Sequence, residues 1–382
     1  MRVFYFVRSF KQSGISNKII SQIKSLSQLG VDIKLFTFGD IDLEIDPMIS
    51  YHVVRSVSTP DCNGGKSIIS LIRRDVCINR TLRLLFKSLG PEDIIYSRTP
   101  PLSLSTWITL KKPRDCKFVI EFNGIEPREV HYLLGLMDSI LGRTRRQNLD
   151  GIVGVTEEIT SYELKKSGDV STPHITIGNG IEVNSVPLRR APKINGKELE
   201  LLCVAYVRIW HGLDRLLRGM AAYEGVPKLM LHIAGEGPEI PRLQKLAVEL
   251  GISDRVFFHG FITGEALDTL FDQCHIAVGV LGIHRKGMRE ASALKVREYC
   301  ARGIPFICGA FDADFSVDFP YVLRLPADES IIDVERIVEF GREMFSDPDH
   351  PQKMRRYAEE NLDWSVKMEK LKDFLEKLVE TN

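Results

Sequence analysis

No two cysteines in this chain stand in the close pairs that bind zinc or staple a small secreted domain. The seven are odd in number and scattered, at Cys62, Cys77, Cys116, Cys203, Cys274, Cys300 and Cys308, which favours a reducing cytoplasm over a disulfide framework. Also missing is any run of about 18 apolar residues, the length needed to span a bilayer. The apolar opening, Met1 to Val7, meets Arg8 too soon for a secretory signal and reads as a first strand. Neither low-complexity tracts nor fixed-period repeats occur, which sets solenoids and disordered tails aside. After the first strand, Arg8 to Gly14 lacks the Gly-x-Gly-x-x-Gly of a dinucleotide oxidoreductase. Net charge is absent too, with 51 basic and 51 acidic residues. Yet residues 1–150 hold 22 basic against 15 acidic side chains. That surplus suits ordinary solvated helix faces, or contact with an anionic membrane through segments such as Arg73 to Lys87 or Arg143 to Arg146. Nothing in the pattern calls for nucleic acid.

What is present is an ordinary globular composition, 382 residues with 44% hydrophobic and 27% charged. That is material for two α/β domains of roughly 150–200 residues each. Apolar runs and helical periods alternate from the start. Strands are predicted at 2–7, 32–37, 93–96, 117–122 and 151–155, with a helix over 17–29 stopped by Gly30. A polar stretch from Val183 to Lys197 then interrupts the pattern and reads as a connection between domains. The alternation restarts with strands at 200–205, 228–234, 255–259, 275–280 and 305–308. Helices are predicted over 214–223, 242–250, 266–273 and 292–302, and the tail from Met354 to Leu378 is helical with a bend near Trp364. Two doubly wound parallel sheets in series follow from this order.

In such sheets ligands bind at the carboxyl ends of strands, so residues just after predicted strands carry the chemistry. Glu290-Ala-Ser-Ala-Leu-Lys-Val-Arg-Glu298 sets two carboxylates about 10 Å apart along a loop and helix start. The amides between them suit a diphosphate. Around this pair the chain reads Gly287, Lys295, Ala301, Gly303 and Pro305. Upstream stand Arg208 with His211-Gly212, Gly235-Glu236-Gly237-Pro238, Asp254-Arg255-Val256 with Gly260, and Asn179-Gly180-Ile181. In this order and spacing the sequence resembles glycosyltransferase family 4, retaining enzymes of the two-domain B-type fold. The likeness is tight over residues 200–310. Before residue 150 it is looser, resting on the strand–Gly14–helix opening and on Glu121-Phe122-Asn123-Gly124.

The resemblance implies an α/β architecture of two Rossmann-like domains facing across a cleft. The acceptor side would be residues 1–183, rejoined by a C-terminal helix from about 363 to 382, and the nucleotide-sugar side 184–362. It also implies roles. Glu298 would hold the donor's ribose hydroxyls, Glu290 would meet the transferred sugar, and Arg208 would neutralise the diphosphate. Gly235, Glu236, Gly237, Gly260 and Phe261 would wall the base, and Gly14 would bring the first domain to the reaction centre. Gly287, Leu294 and Lys295 complete the donor side. Asn123 and Glu126 read as acceptor contacts or as loop caps.

One position departs from the family, which places a lysine where His211 stands. Either His211 serves as a donor or protonates beside the phosphates, or Arg285 or Lys286 supplies the cation, which is the reading favoured here. The implied activity is metal-independent, retaining transfer of a hexosyl unit from a UDP- or GDP-sugar to a glycan or lipid-linked acceptor. It would serve bacterial polysaccharide biosynthesis at the cytoplasmic face, with no cofactor beyond the sugar nucleotide. A sugar-nucleotide epimerase and an inactive sugar-nucleotide-binding partner of another transferase are the competing readings.

Overall fold

The computed structural model describes residues 1–7, 14–38, 51–54, 68–98, 104–111, 113–125, 142–193 and 196–380. The chain divides into two compact units. The first comprises Met1–Gly178 with Trp364–Asn382, and the second Asn179–Asp363.

The first unit is built on strands β1 (Arg2–Val7), β2 (Asp32–Phe38), β3 (Tyr51–Val54), β4 (Asp93–Arg98), β5 (Lys117–Phe122), β6 (Gly151–Gly154) and β7 (His174–Thr176). They form one sheet in the order β3-β2-β1-β4-β5-β6-β7, parallel throughout. Parallel strands need crossover helices, which cover both faces. Those helices are α1 (Gly14–Gln28), α2 (Ile68–Ser88), α3 (Leu104–Leu110), α4 (Arg143–Gln147) and α5 (Glu157–Ser167). Double coverage is why β1 is an unbroken apolar run, buried from Val3 to Val7. α5 has conventional ends: the Thr156 hydroxyl accepts from the Ile159 amide, two glutamates open the first turn and two lysines close the last.

The second unit repeats the plan. Strands β8 (Glu198–Val204), β9 (Lys228–Ala234), β10 (Val256–Gly260), β11 (Ile276–Val278), β12 (Phe306–Cys308) and β13 (Val322–Arg324) pair in parallel in the order β10-β9-β8-β11-β12-β13. Helices α6 (Leu213–Ala222), α7 (Ile240–Glu249), α8 (Glu265–Gln273), α9 (Leu294–Arg302), α10 (Val334–Met344) and α11 (His350–Asn361) flank them. The core centres on Leu199, Leu201 and Cys203 of β8, packed among Leu217 and Met220 of α6 and Ile337 and Val338 of α10.

The tail is two helices. α11 ends at Asn361, and Trp364 opens α12 (Trp364–Glu380), which returns to the first unit. There the Lys18 ammonium lies 5.9 Å from the Trp364 ring. Leu378 packs so closely on Gly151 that an added Cβ would sit 2.9 Å from it.

Two expectations change. The sequence pattern gave no sign of β3, β7 or β13. Within the basic segment Arg143 to Arg146, Arg146 is not at the surface, because it is buried in an ion pair with the equally buried Glu163. Among the described residues no helix is long and apolar enough to cross a membrane.

Candidate active site

Strand order in the second unit fixes where a ligand would sit. From β8 the chain steps outward to β9 and β10, then returns to place β11 on the other side of β8. The loops after β8 and β11 therefore diverge at a switch point, where open α/β sheets bind ligands. Tyr299 of α9 pins the two strands there, its hydroxyl accepting from the Val204 amide at 3.0 Å and donating to the Val278 carbonyl at 3.2 Å.

The loop after β8 carries Arg208 and His211 and is held by backbone on both sides. On the β9 side, Ala205 and Val207 donate to the carbonyls of Ala234 and Glu236 at 3.0 and 2.6 Å. This approach leaves no room for side chains at 235 and 237. A Cβ on Gly235 would lie 1.9 Å from the Ala205 oxygen, and one on Gly237 2.2 Å from that of Val207. On the β11 side, the Leu281 and Gly282 amides donate to the carbonyls of His211 and Trp210, both at 3.1 Å. Gly212, at φ 65°, ends the 3₁₀ turn Ile209–His211 and touches the Gly282 backbone.

His211 is turned into this scaffold. Its Nδ1 lies 2.9 Å from the Arg208 amide, from which the neutral ring accepts. Burial first, then the charges of Lys295, Lys286 and Arg208, push its pKa well below the ordinary histidine value. These influences favour the uncharged ring in this arrangement, where Nδ1 also lies 3.2 Å from the Arg208 carbonyl. Arg208 itself is exposed. Its guanidinium lies 4.9 Å from the Tyr206 ring centre and 5.8 Å from that of Trp210. The Lys286 ammonium lies 4.9 Å from the same indole.

Arg285 does not present a spare cation, contrary to one of the sequence expectations. It bonds both oxygens of Asp214 at 2.8 and 3.0 Å, both of Glu329 at 2.8 and 2.6 Å, and the Ile209 carbonyl at 2.9 Å. It ties the turn Ile283–Lys286 to the turn bearing His211. Gly287, at φ 65°, closes the former turn.

Glu290 lies on an extended stretch paired with Phe311 after β12. α9 begins at Leu294, later than the pattern suggested, and no side chain caps it. Ser292 stays outside because its hydroxyl accepts from the Asn179 amide at 2.6 Å. Glu298 stands four residues inside α9, and its Oε1 accepts from Arg302 at 2.8 Å. Lys295 donates to the Gly279 carbonyl at 3.0 Å. Gly260 receives the Gly235 amide at 2.7 Å, and Phe261 beyond it is 74% exposed. Sequence reasoning missed Arg297, fully buried, which bonds the Asn179 carbonyl at 2.8 Å and the carboxylates of Asp312 and Asp314. Among the described residues no cluster of three or more His, Cys, Asp or Glu could hold a metal ion.

In the first unit, Gly14 opens α1, whereas Glu126 lies outside the described residues. Asn123 is not a free contact. Its Oδ1 accepts from Lys18 at 2.7 Å and its Nδ2 donates to Glu121 at 2.8 Å. Glu121 also receives Lys18, Gln22 and Tyr96 at 2.7 to 2.8 Å. Burial alone would raise the Glu121 pKa, but the charges of Lys18 and Arg98 and the hydrogen bonds outweigh it and hold the carboxylate at about 2.

A family model described as "Glycosyl transferases group 1" matches residues 187–361. The uncharacterized glycosyltransferase YqgM of Bacillus subtilis (strain 168) is 38% identical over 68 residues. That stretch is 18% of this chain and 19% of the relative's length. Among solved structures, sucrose-phosphate synthase from Thermosynechococcus elongatus superposes with a TM-score of 0.70 at 16% identity, covering 100% of both chains. Anabaena HepE in complex with UDP gives 0.67 at 13%, covering 99% of this chain and 100% of the other. The lipopolysaccharide outer core galactosyltransferase WaaB gives 0.65 at 14%, covering 99% of each. At these identities the likeness speaks for the fold. The chain has the B-type glycosyltransferase fold, and most of its second unit resembles the glycosyl transferases group 1.

Proposed function

We propose that the protein transfers a hexosyl unit from a UDP- or GDP-sugar to a glycan or lipid-linked acceptor, with retention of anomeric configuration. The carrying observation is the positive cluster at the switch point of the second unit. Arg208, Lys286 and Lys295 all bear electrostatically on His211, beside a helix whose first turn lacks a cap. Uncapped amides and cations together favour a diphosphate. Structural neighbours include HepE with UDP-glucose, which supports the donor class.

In this reading Arg208 and the first amides of α9 hold the diphosphate as charge develops on the leaving group. Glu298, oriented by Arg302, takes the ribose hydroxyls, and Glu290 takes hydroxyls of the sugar. His211 gives one hydrogen bond from its ring. The departing phosphate accepts the acceptor's hydroxyl proton, and positioning carries the rest of the rate. No divalent metal takes part, so turnover should survive EDTA; its loss on chelation would remove that part of the proposal.

A thermal-shift screen of nucleoside diphosphates and their sugars identifies the donor, since a ligand bound only by the folded state raises stability. Calorimetry then tests the roles. Glu298→Ala should weaken the nucleoside diphosphate itself, and Glu290→Ala should spare it while weakening the intact sugar nucleotide. Normal binding of both ligands by both variants would refute these assignments.

A further inference from the structure

We infer that selectivity for a ribonucleotide is set from α8. Asp268 and Phe271 of that helix fix the Arg302 guanidinium, and Arg302 in turn fixes Glu298, which makes Arg302 and Asp268 positioning residues for the donor's ribose. This rests on the sugar-nucleotide reading above, with Glu298 meeting the ribose, and adds to it the source of the selectivity.

Glu298 and Arg302 stand four residues apart on α9, the acidic one first, with Oε1 accepting from Nε at 2.8 Å. On an open helix face such a pair contributes little. This one is not on an open face. The Arg302 side chain is only 6% exposed. Its guanidinium carbon lies 4.3 Å from the centre of the Phe271 ring, which is fully buried. Its Nη1 donates to Asp268 Oδ1 at 2.7 Å. An aromatic face and a second carboxylate therefore hold a side chain that would otherwise sample many rotamers. The backbone beneath is fixed as well. The Arg302 carbonyl accepts from the Arg189 amide at 3.0 Å. Gly303, at φ 77°, lies so near Pro351 that an added Cβ would sit 2.5 Å from its Cα.

A free glutamate loses torsional freedom when it orders on a ligand. A carboxylate already drawn to a fixed guanidinium has lost that freedom beforehand. With Oε1 on Arg302, Oε2 is the atom that accepts from a ribose hydroxyl. Glu298 also stands four residues past the start of α9. That is about 6 Å along the helix from the amides assigned to the diphosphate, which suits the sugar attached to it.

The test titrates wild type, Arg302→Met, Arg302→Lys and Asp268→Ala with UDP, GDP and their 2′-deoxy and 3′-deoxy forms by calorimetry. Wild type should prefer the ribonucleotide about 10-fold or more over at least one deoxy form. Arg302→Met keeps bulk against Phe271, so it should bind that deoxy form as wild type does. It should bind the ribonucleotide about 10-fold more weakly and so lose the preference. Arg302→Lys should recover part of the preference, and Asp268→Ala should lose part of it. A purely structural role would weaken ribo- and deoxyribonucleotides alike, and that result would overturn the inference. A preference kept in Arg302→Met would overturn it too, while leaving the sugar-nucleotide reading intact. An unchanged preference in Asp268→Ala would overturn the part given to α8. Should Arg302→Met fail to fold, Asp268→Ala, at a side chain 38% exposed, carries the same comparison. A wild type indifferent to both hydroxyls would overturn the ribose role of Glu298 and this inference together. One that binds no nucleoside diphosphate at all would bring down the functional reading itself.

Discussion

Gly237 shows how strictly single residues shape the site. Its φ of 147° is one that side-chain-bearing residues rarely adopt, and the Val207 carbonyl occupies the space a Cβ would need. Gly237→Ala should therefore displace the Arg208 loop and cost about 2 kcal/mol or more of stability. Chemical denaturation measures the cost, and a stability equal to wild type would mean that the loop has slack the structure does not show. At this scale the sequence was partly legible. Glycine at 235 and 237 after a strand announces a tight turn, although its partner, the Ala205–Val207 backbone, lies some thirty residues away. Asn123 was legible only in part for a similar reason. Its motif stands out, but the partners that absorb its amide, Lys18 and Glu121, meet it only once α1 and β5 are folded together.

Among the elements, the most instructive is the turn Ile283–Lys286. Its last three residues form one basic run in sequence but separate in space: Arg285 braces the turn and Lys286 lies over Trp210. Arg285→Ala would leave Asp214 without its bidentate partner and loosen the turn. We expect nucleoside diphosphate affinity to fall about tenfold or more, because Arg285 also holds the Ile209 carbonyl next to Arg208. In a double-variant cycle with Arg208→Ala the two losses should not add, and full additivity would separate the two residues. Long interior strands such as β1 were readable because burial on both faces demands unbroken apolar runs. β13 was not, since Val322–Arg324 is three residues long and only half-buried. The start of α9 was also misplaced, because the Ser292 hydroxyl, a natural helix cap, is taken by the Asn179 amide.

For the whole molecule, the two units should respond differently to acid. In the second, burial lowers the pKa of His211, His275 and His350 below the ordinary value. The unfolded chain then takes up protons that the folded unit refuses, so stability is full above about pH 6.5 and declines as pH falls through that value. In the first unit, Glu121 is held at about 2 against a model-peptide value of 4.5. Its contribution is complete above about pH 4.5 and is lost from there down towards 2. Hydrogen exchange at stepwise lower pH should show the second unit loosening first, between pH 7 and 5. Simultaneous loosening of both units would show that other groups dominate.

The second unit is an uninterrupted segment, Asn179–Asp363, set inside the first, whose last helix comes after it. Both ends of that segment lie side by side, with the Ile181 amide on the Leu362 carbonyl at 2.9 Å and Val183 on the Asp363 carboxylate at 3.1 Å. On the ribosome this reverses the usual schedule, in which domains close in the order they emerge. The portion translated first must wait, its β6 and α1 lacking their cover, until the inserted portion has been made and α12 finally leaves the exit tunnel.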